Sequence, residues 1–147
     1  MTKIEFHHNA PDKFAAAARL IGAAVADGAR VLVFAPQRDV AQRIDHVLWT
    51  HGALSFVPHV GADSPLAHET PVVIAGTLDH PAAADHNQVL VNLDGELPPA
   101  FARFERLIEI VGTDDADRLP ARGRFRFYRD RGYPLTTSDL AAADTTS

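Results

Sequence analysis

The sequence has 147 residues, of which 46% are hydrophobic, and it carries a formal net charge of -5. A chain of this length is expected to bury one hydrophobic core, and the absence of cysteine excludes a disulfide framework, a thiolate zinc site and a cysteine nucleophile. The net negative charge argues against nonspecific binding to duplex DNA, because such binding needs many contacts between basic residues and phosphates. We find no signal-peptide pattern and no apolar run of membrane-spanning length, so we expect a cytoplasmic protein without a membrane partner.

The first third of the chain alternates strand and helix signals. Residues 3–8 alternate apolar and polar side chains, which predicts a strand, and residues 14–26 are alanine-rich and predict a helix capped by Asn9 or Asp12. Residues 30–35 form an apolar run typical of a buried parallel strand, and residues 37–50 predict a second helix. This order indicates an α/β fold: a three-layer Rossmann-like sandwich whose mostly parallel central sheet is flanked by helices.

The rest of the chain predicts three further strands and one short helix. Proline, glycine and turn-forming residues mark residues 55–70 as loop. We expect a single α/β domain over residues 1–136 and a flexible C-terminal tail over residues 137–147, because the end of the chain is small and polar. The remaining predicted elements are strands at 71–75, 88–92 and 107–111 and a short helix at 98–104.

The sequence lacks the motifs of the common catalytic and cofactor sites. Neither of the first two strands is followed by a glycine-rich phosphate loop, and GxSxG is absent. His46 and His51 are five residues apart, which does not match the spacing of a helical zinc site. We interpret Asp114, Asp115 and Asp117 as caps of a following helix rather than as catalytic carboxylates. The sequence therefore predicts no catalytic residue, no metal and no cofactor.

A cluster of arginines lies near the end of the chain. Six of the 14 basic residues fall within residues 118–131, although the whole chain is acidic. In a helix, four of these arginines would project within about 80° of one another, with one aromatic ring beside them. Such a face fits an anionic partner, and a solvated helix surface is the alternative. The members of this face are Arg118, Arg122, Arg126, Arg129 and Phe125.

Two features limit the predicted face. Arg124 and Arg131 project elsewhere by the same helical count. Pro120 is comfortable only in the first turn of a helix, so either the helix begins near Asp117 or its first turn is kinked. The place of Arg118 on the face therefore stays open.

An aromatic segment lies after the second predicted helix. The single tryptophan, Trp49, is followed by Phe56, Pro58 and His59 in a stretch without regular periodicity. Trp49 either closes the core under a loop or anchors a protein interface, since aromatic residues gathered on loops serve both purposes. We call these four residues the aromatic surface.

Several segments of the sequence together resemble the chi subunit family of bacterial DNA polymerase III, an accessory of the clamp loader. The resemblance extends over residues 4–135, and its most specific parts are LW followed by SFVPH and the YR-x-x-GY-x-L ending. The other matching segments are FHHNAPDKF, RVLVFAP, RIDHVLW, SPLAHETPVVIA, VLVNL and RFRFYRDRGYPL.

The resemblance implies a non-enzymatic adaptor. It implies binding to the acidic C-terminal tail of single-stranded DNA-binding protein, and to the psi subunit, which tethers chi to the clamp loader. The aromatic surface would face psi, and a helicase-like repair protein would compete for it. DNA would be contacted only indirectly. The resemblance places the tail site at Val111, Arg118, Arg122, Phe125 and Arg126, and the helical count adds Arg129.

Two other functions stay open at this point. The protein could bind single-stranded nucleic acid directly, with Phe125 or Tyr128 stacking on bases and arginines contacting phosphates. It could also be an enzyme whose site the sequence does not reveal, although the missing phosphate loops argue against this.

Overall fold

The computed structural model describes residues 1–50, 57–79 and 86–141. Within these ranges the chain forms strands, three α-helices and two short 3-10 turns, at Ala67–Glu69 and Phe101–Arg103. The strands are β1 (Lys3–Ala10), β2 (Val31–Phe34), β3 (His59–Gly61), β4 (Val72–Ala75), β5 (Val89–Asn92), β6 (Arg106–Gly112) and β7 (Leu135–Asp139). The helices are α1 (Lys13–Ala26), α2 (Arg38–Thr50) and α3 (Asp115–Asp130).

The strands form one parallel sheet. Their order is β3-β4-β2-β5-β6-β1-β7, and each pair of neighbours is parallel in the described part of the chain. Parallel neighbours require crossover connections. Helix α1 connects β1 to β2, α2 connects β2 to β3, and α3 connects β6 to β7. The predicted Rossmann-like α/β fold is confirmed.

The two faces of the sheet carry separate apolar cores. Along β2, Val33 joins the core that includes Ile21 of α1 and Ile44 of α2, whereas Leu32 joins the core that includes Tyr128 of α3. Successive side chains of a strand point to opposite faces, so a strand covered on both sides must be apolar throughout. The result is a three-layer sandwich with α1 and α2 on one face and α3 on the other.

The start of α1 is fixed by Asp12. Its carboxylate accepts hydrogen bonds from the backbone N–H groups of Phe14 and Ala15, both at 3.1 Å, and so satisfies two donors that lack a partner inside the helix. Of the two caps that the sequence allowed, Asp12 is therefore the one used.

None of the described helices is long and apolar enough to cross a membrane.

One strand and one predicted helix differ from the sequence prediction. Strand β3 lies in the segment predicted as loop, and it is only three residues long, too short to show an alternating pattern. The helix predicted at 98–104 is wrong: the structure has only the 3-10 turn Phe101–Arg103. Ala100 adopts a left-handed conformation (φ 56°) immediately before this turn, which ends any continuous helix there.

The last described residues extend the sheet beyond the predicted domain boundary. Residues 137–139, assigned by the sequence to the tail, belong to β7 and pair with β1. Leu140 is buried in the core beneath α1 and α2. The pattern LTTSD is polar because β7 is an edge strand with several exposed side chains. Residues 142–147 of the predicted tail lie outside the described residues.

Candidate functional site

Carboxylates fix the beginning of α3 at the end of β6. Asp114 is the N-cap, and its side chain accepts a hydrogen bond from the N–H of Asp117 at 3.3 Å. Asp117 Oδ2 accepts from the N–H of Gly112 at 2.5 Å, and Oδ1 forms an ion pair with Lys13 at 2.9 Å. Asp115 lies in the first turn, where a negative charge complements the helix dipole. The predicted cap is therefore Asp114, whereas Asp115 and Asp117 contribute negative charge to the first turn and Asp117 bonds to Gly112 and Lys13.

The middle of α3 is anchored by a buried carboxylate. Glu109 of β6 is fully buried, and its Oε2 accepts from Arg124 Nε at 3.2 Å and from the Tyr128 hydroxyl at 2.8 Å. Its Oε1 accepts from Asn92 Nδ2 at 3.0 Å. Arg124 also donates through Nη1 to the carbonyl of Gly95 at 2.7 Å. We call Glu109, Arg124, Tyr128 and Asn92 the buried polar network.

The charges of this network follow from its geometry. Burial raises the pKa of Glu109, and the charge of Arg124 together with the hydrogen bonds from Tyr128, Arg124 and Asn92 opposes that rise. All three partners are donors, an arrangement that suits an ionised carboxylate. Burial and the adjacent Glu109 raise the pKa of Tyr128 above its ordinary range, so its hydroxyl stays neutral and donates. The network therefore holds α3 against the sheet through a buried ion pair.

A groove of about 270 Å³ lies between the N-terminal half of α3 and the sheet strands β6, β1 and β7. Four residues of the predicted binding face meet there: Val111, Arg118, Arg122 and Phe125. The floor is apolar, and the ring of Phe125 packs edge-on against that of Phe6 with centroids 5.2 Å apart. The groove, called the α3 groove below, is lined by Phe6, His8, Asn9, Val111, Gly112, Arg118, Ala121, Arg122, Phe125 and Thr137.

Arg118 reaches the groove in spite of Pro120. The helix begins at Asp115 rather than near Asp117, so Pro120 lies in its second turn. The N–H of Arg118 donates to the Asp114 carbonyl at 3.0 Å and closes the first turn. The side chain of Arg118 then lines the groove beside Arg122.

Two arginines of the predicted face do not line the groove. Arg126 is exposed and projects about 80° away from Arg118 around the helix axis. Arg129 lies 11 residues, or about 16 Å, farther along the helix than Arg118, and its guanidinium contacts Asp130 at 3.3 Å. A projection down the axis places these residues on one face but does not show how far apart they lie along it.

The other two arginines of the cluster have different neighbours. Arg124 belongs to the buried polar network, and Arg131 lies with its guanidinium 4.3 Å from the centre of the Phe127 ring. Both had been predicted to point away from the face. Helical periodicity alone does not predict the role of Arg124, although Glu109 within the apolar strand LIEIV is a signal for a buried partner.

The α3 groove combines cationic and apolar surface. Arg118 and Arg122 carry fixed positive charges, and the groove lining contains no carboxylate among the described residues. Arginine can hold a carboxylate through two parallel hydrogen bonds, and the ring and methyl groups of the floor can contact an apolar side chain. The groove is therefore suited to an anionic group that carries an apolar neighbour.

The aromatic surface lies at the end of α2 and the start of β3. Trp49 is 57% exposed, and its ring packs against that of His59 with centroids 5.0 Å apart. His59 is buried: its Nδ1 donates to the Val57 carbonyl at 2.7 Å, and its Nε2 lies 3.1 Å from the carboxylate of Asp45. The interpretation of Trp49 as a residue that closes the core is wrong, because more than half of its surface is exposed.

The other members of this surface have different positions. Pro58 is exposed beside His59, whereas Phe56 lies outside the described residues. An exposed tryptophan held by a buried histidine presents a fixed aromatic edge to solvent, as protein interfaces often require.

Across the described ranges, we find no group of three or more metal-ligating side chains that could hold a metal ion.

Comparison with known proteins identifies relatives along nearly the whole chain. The family model "DNA polymerase III chi subunit, HolC" matches residues 1–136. The DNA polymerase III subunit chi of Pseudomonas aeruginosa is 32% identical over 139 residues, which cover 92% of this chain and 94% of the relative. The subunit chi of Escherichia coli is 30% identical over 111 residues, covering 76% of this chain and 74% of the relative.

The fold also resembles solved structures of a DEAD-box protein. The chain matches Saccharomyces cerevisiae Dbp5 bound to RNA and ADP BeF3 with a TM-score of 0.65 and 16% identity. The match covers 99% of this chain but only 43% of the Dbp5 chain. The C-terminal domain of Dbp5 matches with a TM-score of 0.60 and 16% identity, covering 98% of this chain and 93% of that domain. At this identity the likeness shows the shared fold alone.

Proposed function

Because the chain belongs to the DNA polymerase III chi subunit family, we propose that it is a non-catalytic adaptor of that polymerase. In this role it links the clamp loader, through the psi subunit, to the acidic C-terminal tail of single-stranded DNA-binding protein. The α3 groove is the observation that carries the proposal, because Arg118 and Arg122 flank an apolar floor there.

The chemistry of the tail matches that of the groove. A peptide that ends in aspartates, an apolar residue and a free carboxylate needs cations beside an apolar pocket. Arg118 and Arg122 can each hold a carboxylate through paired hydrogen bonds. Val111 and Phe125 supply apolar surface for the last side chain. Arg126 and Arg129 would assist only through the longer-range field of α3, since neither lines the groove.

A titration with a labelled tail peptide tests the proposal. We expect saturable binding to the full chain that weakens as salt is added, because exposed charge pairs are screened. A matched peptide whose C-terminal carboxylate is amidated should bind more weakly, since it lacks one anionic group. Absence of saturation with the unmodified peptide, or equal affinity for the amidated one, would contradict the assignment.

Direct binding of single-stranded nucleic acid has less support. Tyr128 is fully buried and donates its hydroxyl to Glu109, so its ring cannot stack on a base. Phe125 is partly buried, and the edge-to-face contact with Phe6 occupies one side of it. Nonspecific binding to single strands normally combines cations with exposed aromatic platforms. A gel shift with an oligonucleotide alone should therefore show little binding, and tight binding would favour the direct mode.

We further propose that the aromatic surface binds the psi subunit, and that a helicase-like repair protein competes for it. Trp49→Ala is expected to reduce affinity for psi by roughly 30-fold, or about 2 kcal/mol, the typical effect of removing a central aromatic anchor. Binding of the tail peptide should be unchanged, because Trp49 does not line the α3 groove. Calorimetry with purified psi and with the peptide measures both effects.

A control for the psi experiment comes from α3. Leu119 has the same exposure as Trp49, 57%, but lies on a different element. Leu119→Ala should leave psi binding unchanged. Equal losses in the two variants, or no loss in either, would place the psi interface elsewhere.

A further inference from the structure

The outer edge of β7 is open. Strand β7 pairs with β1 along its whole length without a register shift, and no other described strand pairs with it. The side chains of Thr136, Thr137 and Asp139 on this strand are exposed. An edge strand presents a row of backbone N–H and C=O groups that can pair with another extended chain. Strand β7 is therefore able to accept a further strand.

The backbone groups of alternate β7 residues point to this edge. At the start of the pairing, the N–H of Ile4 donates to the carbonyl of Pro134 at 2.9 Å. In a parallel ladder, residues that bond one neighbour alternate with residues whose N–H and C=O groups point the other way. Since the carbonyl of Pro134 points to β1, the backbone groups of Leu135, Thr137 and Asp139 point to the open edge.

This edge lacks most of the features that keep edge strands from pairing. Natural edge strands are commonly protected by lysine, by internal proline or by a β-bulge. Strand β7 has none of these, and its sequence LTTSD contains two threonines, which favour strands. Asp139 is its single charged residue, and the Asp139 carboxylate accepts a hydrogen bond from the N–H of Ala141 at 3.0 Å. An unprotected edge of this kind indicates a binding role.

The open edge is continuous with the α3 groove. Thr137 lines the groove together with Arg118 and Arg122. Of the strands that line it, β6 and β1 each have a neighbour on both sides, whereas β7 has a neighbour on one side only among the described strands. A peptide whose carboxylates contact the groove arginines therefore meets the free strand edge at Thr137.

We propose that the acidic tail peptide adds to the seven-stranded sheet as a further strand, paired with the open edge of β7, while its last residues occupy the α3 groove. This inference rests on the proposed function, because it concerns the same peptide and the same groove. Backbone hydrogen bonds to β7 supply affinity that does not depend on the upstream side chains of the peptide. Arg118 and Arg122 select its acidic end.

The charges set the direction of the added strand. The groove lies at the carboxyl end of the sheet strands, beside Val111 and Gly112 of β6. The free carboxylate of the peptide belongs there, next to the arginines, and Asp139 disfavours acidic residues beyond Thr137 because like charges repel. The peptide chain therefore passes Leu135 before it reaches Thr137, so it runs parallel to β7.

A scan of backbone methylation in the peptide tests the pairing. Each synthetic tail peptide carries one N-methylated residue upstream of its last few residues, and calorimetry gives its affinity for the full chain. We expect the affinity to fall by about threefold to tenfold at every second position, the size of one hydrogen bond, and to change little at the positions between. Tolerance of methylation at every position, or losses without this alternation, would overturn the inference.

Thr137→Pro tests the edge from the side of the protein. Proline removes the N–H of Thr137, which points away from β1, so the pairing of β1 with β7 keeps its bonds. The measurement is the ratio of affinities for a long peptide of about eight residues and a short one of about three, at about 0.5 M salt to screen charges. The unmodified chain should favour the long peptide by roughly tenfold, as expected for a few backbone hydrogen bonds. Thr137→Pro should lose most of that preference.

The matched control is Thr136→Val, because the side chain of Thr136 lies on the opposite face of the same strand and its backbone groups point to β1. It should keep the preference of the unmodified chain for the long peptide. The methylation scan uses the unmodified chain, so it decides the inference even if Thr137→Pro fails to fold.

Sedimentation of the chain without peptide identifies a competing occupant of the edge. A dimer of the unmodified chain that Thr137→Pro dissociates would assign the edge to a second copy of the chain and overturn the inference. Equal affinities of the unmodified chain for the long and short peptides would also overturn it, and would leave the proposed function intact. Failure of both peptides to bind would instead overturn the proposed function.

Discussion

Replacing Arg124 by methionine is expected to lower the free energy of unfolding by about 3–5 kcal/mol, the usual cost of removing one partner of a buried ion pair. The carboxylate of Glu109 would remain fully buried, with only the Tyr128 hydroxyl and the Asn92 amide as donors. The Gly95 carbonyl would lose its donor as well. Denaturation by urea, followed by circular dichroism, measures the change.

The loss of unfolding free energy in Arg124→Met should depend on pH in a defined direction. Burial already raises the pKa of Glu109, and the charge of Arg124 is the largest effect that opposes the rise. Without Arg124 the pKa rises further. A carboxyl group with a raised native pKa contributes most stability below its unfolded pKa, and this contribution is lost as the pH rises through the native value. The deficit of Arg124→Met should therefore be small near about pH 4 and largest near about pH 8.

A double-mutant cycle separates the charge from the shape of the site. Glu109→Gln combined with Arg124→Met removes both charges but keeps an oxygen that can accept from Asn92 or Tyr128. The double variant should recover at least about 2 kcal/mol of the loss at neutral pH, and its deficit should no longer vary with pH through this site. Additive losses from the two single substitutions would show that the pair is not coupled.

The buried polar network also determines where the α3 groove can form. Arg124 and Tyr128 project from the side of α3 that faces the sheet, and Phe125 lies between them in sequence. The network fixes the rotation of the helix about its axis. The same rotation directs Arg118 and Arg122 to the groove and leaves Arg126 exposed. A rotated helix would present a different set of arginines.

The sequence predicted the interior of the fold better than its edges. Strands β2, β4 and β5 are covered on both faces, so each is apolar, apart from Asn92 at the end of β5, and pattern analysis can detect such runs. Strand β7 has a polar sequence because it has only one neighbour among the described strands. Its position depends on pairing with β1, more than a hundred residues earlier, and no local pattern contains that information.

The candidate site likewise combines residues that a local sequence pattern can group with residues that only the sheet topology brings together. Helical periodicity was sufficient to group Arg118, Arg122 and Phe125, because these residues lie on neighbouring turns of one element. His8 and Thr137 come to the groove from strands that are distant in sequence, and only the sheet topology brings them together. Sequence periodicity therefore identified one wall of the groove, and the opposite wall required the structure.

Reversing both groove arginines, Arg118→Glu with Arg122→Glu, is expected to weaken binding of the acidic tail peptide by about a hundredfold or more. Each substitution removes a favourable contact with a peptide carboxylate and replaces it with repulsion, so a combined loss of about 3 kcal/mol is a conservative expectation. Both arginines are exposed, and the fold should tolerate the change. Calorimetric titration at fixed salt measures the affinity.

The matched control for this experiment is Arg126→Glu with Arg129→Glu. It alters the net charge by the same amount on the same helix, but at positions outside the α3 groove. If the groove is the site, the control should lose only severalfold in affinity, and added salt should reduce most of that loss because long-range fields are screened. If affinity depended only on the charge of α3, the two double variants would lose equally, and the groove could not be the binding site. A greater loss in the groove variant would show that the peptide depends on the positions of the arginines and not on their number.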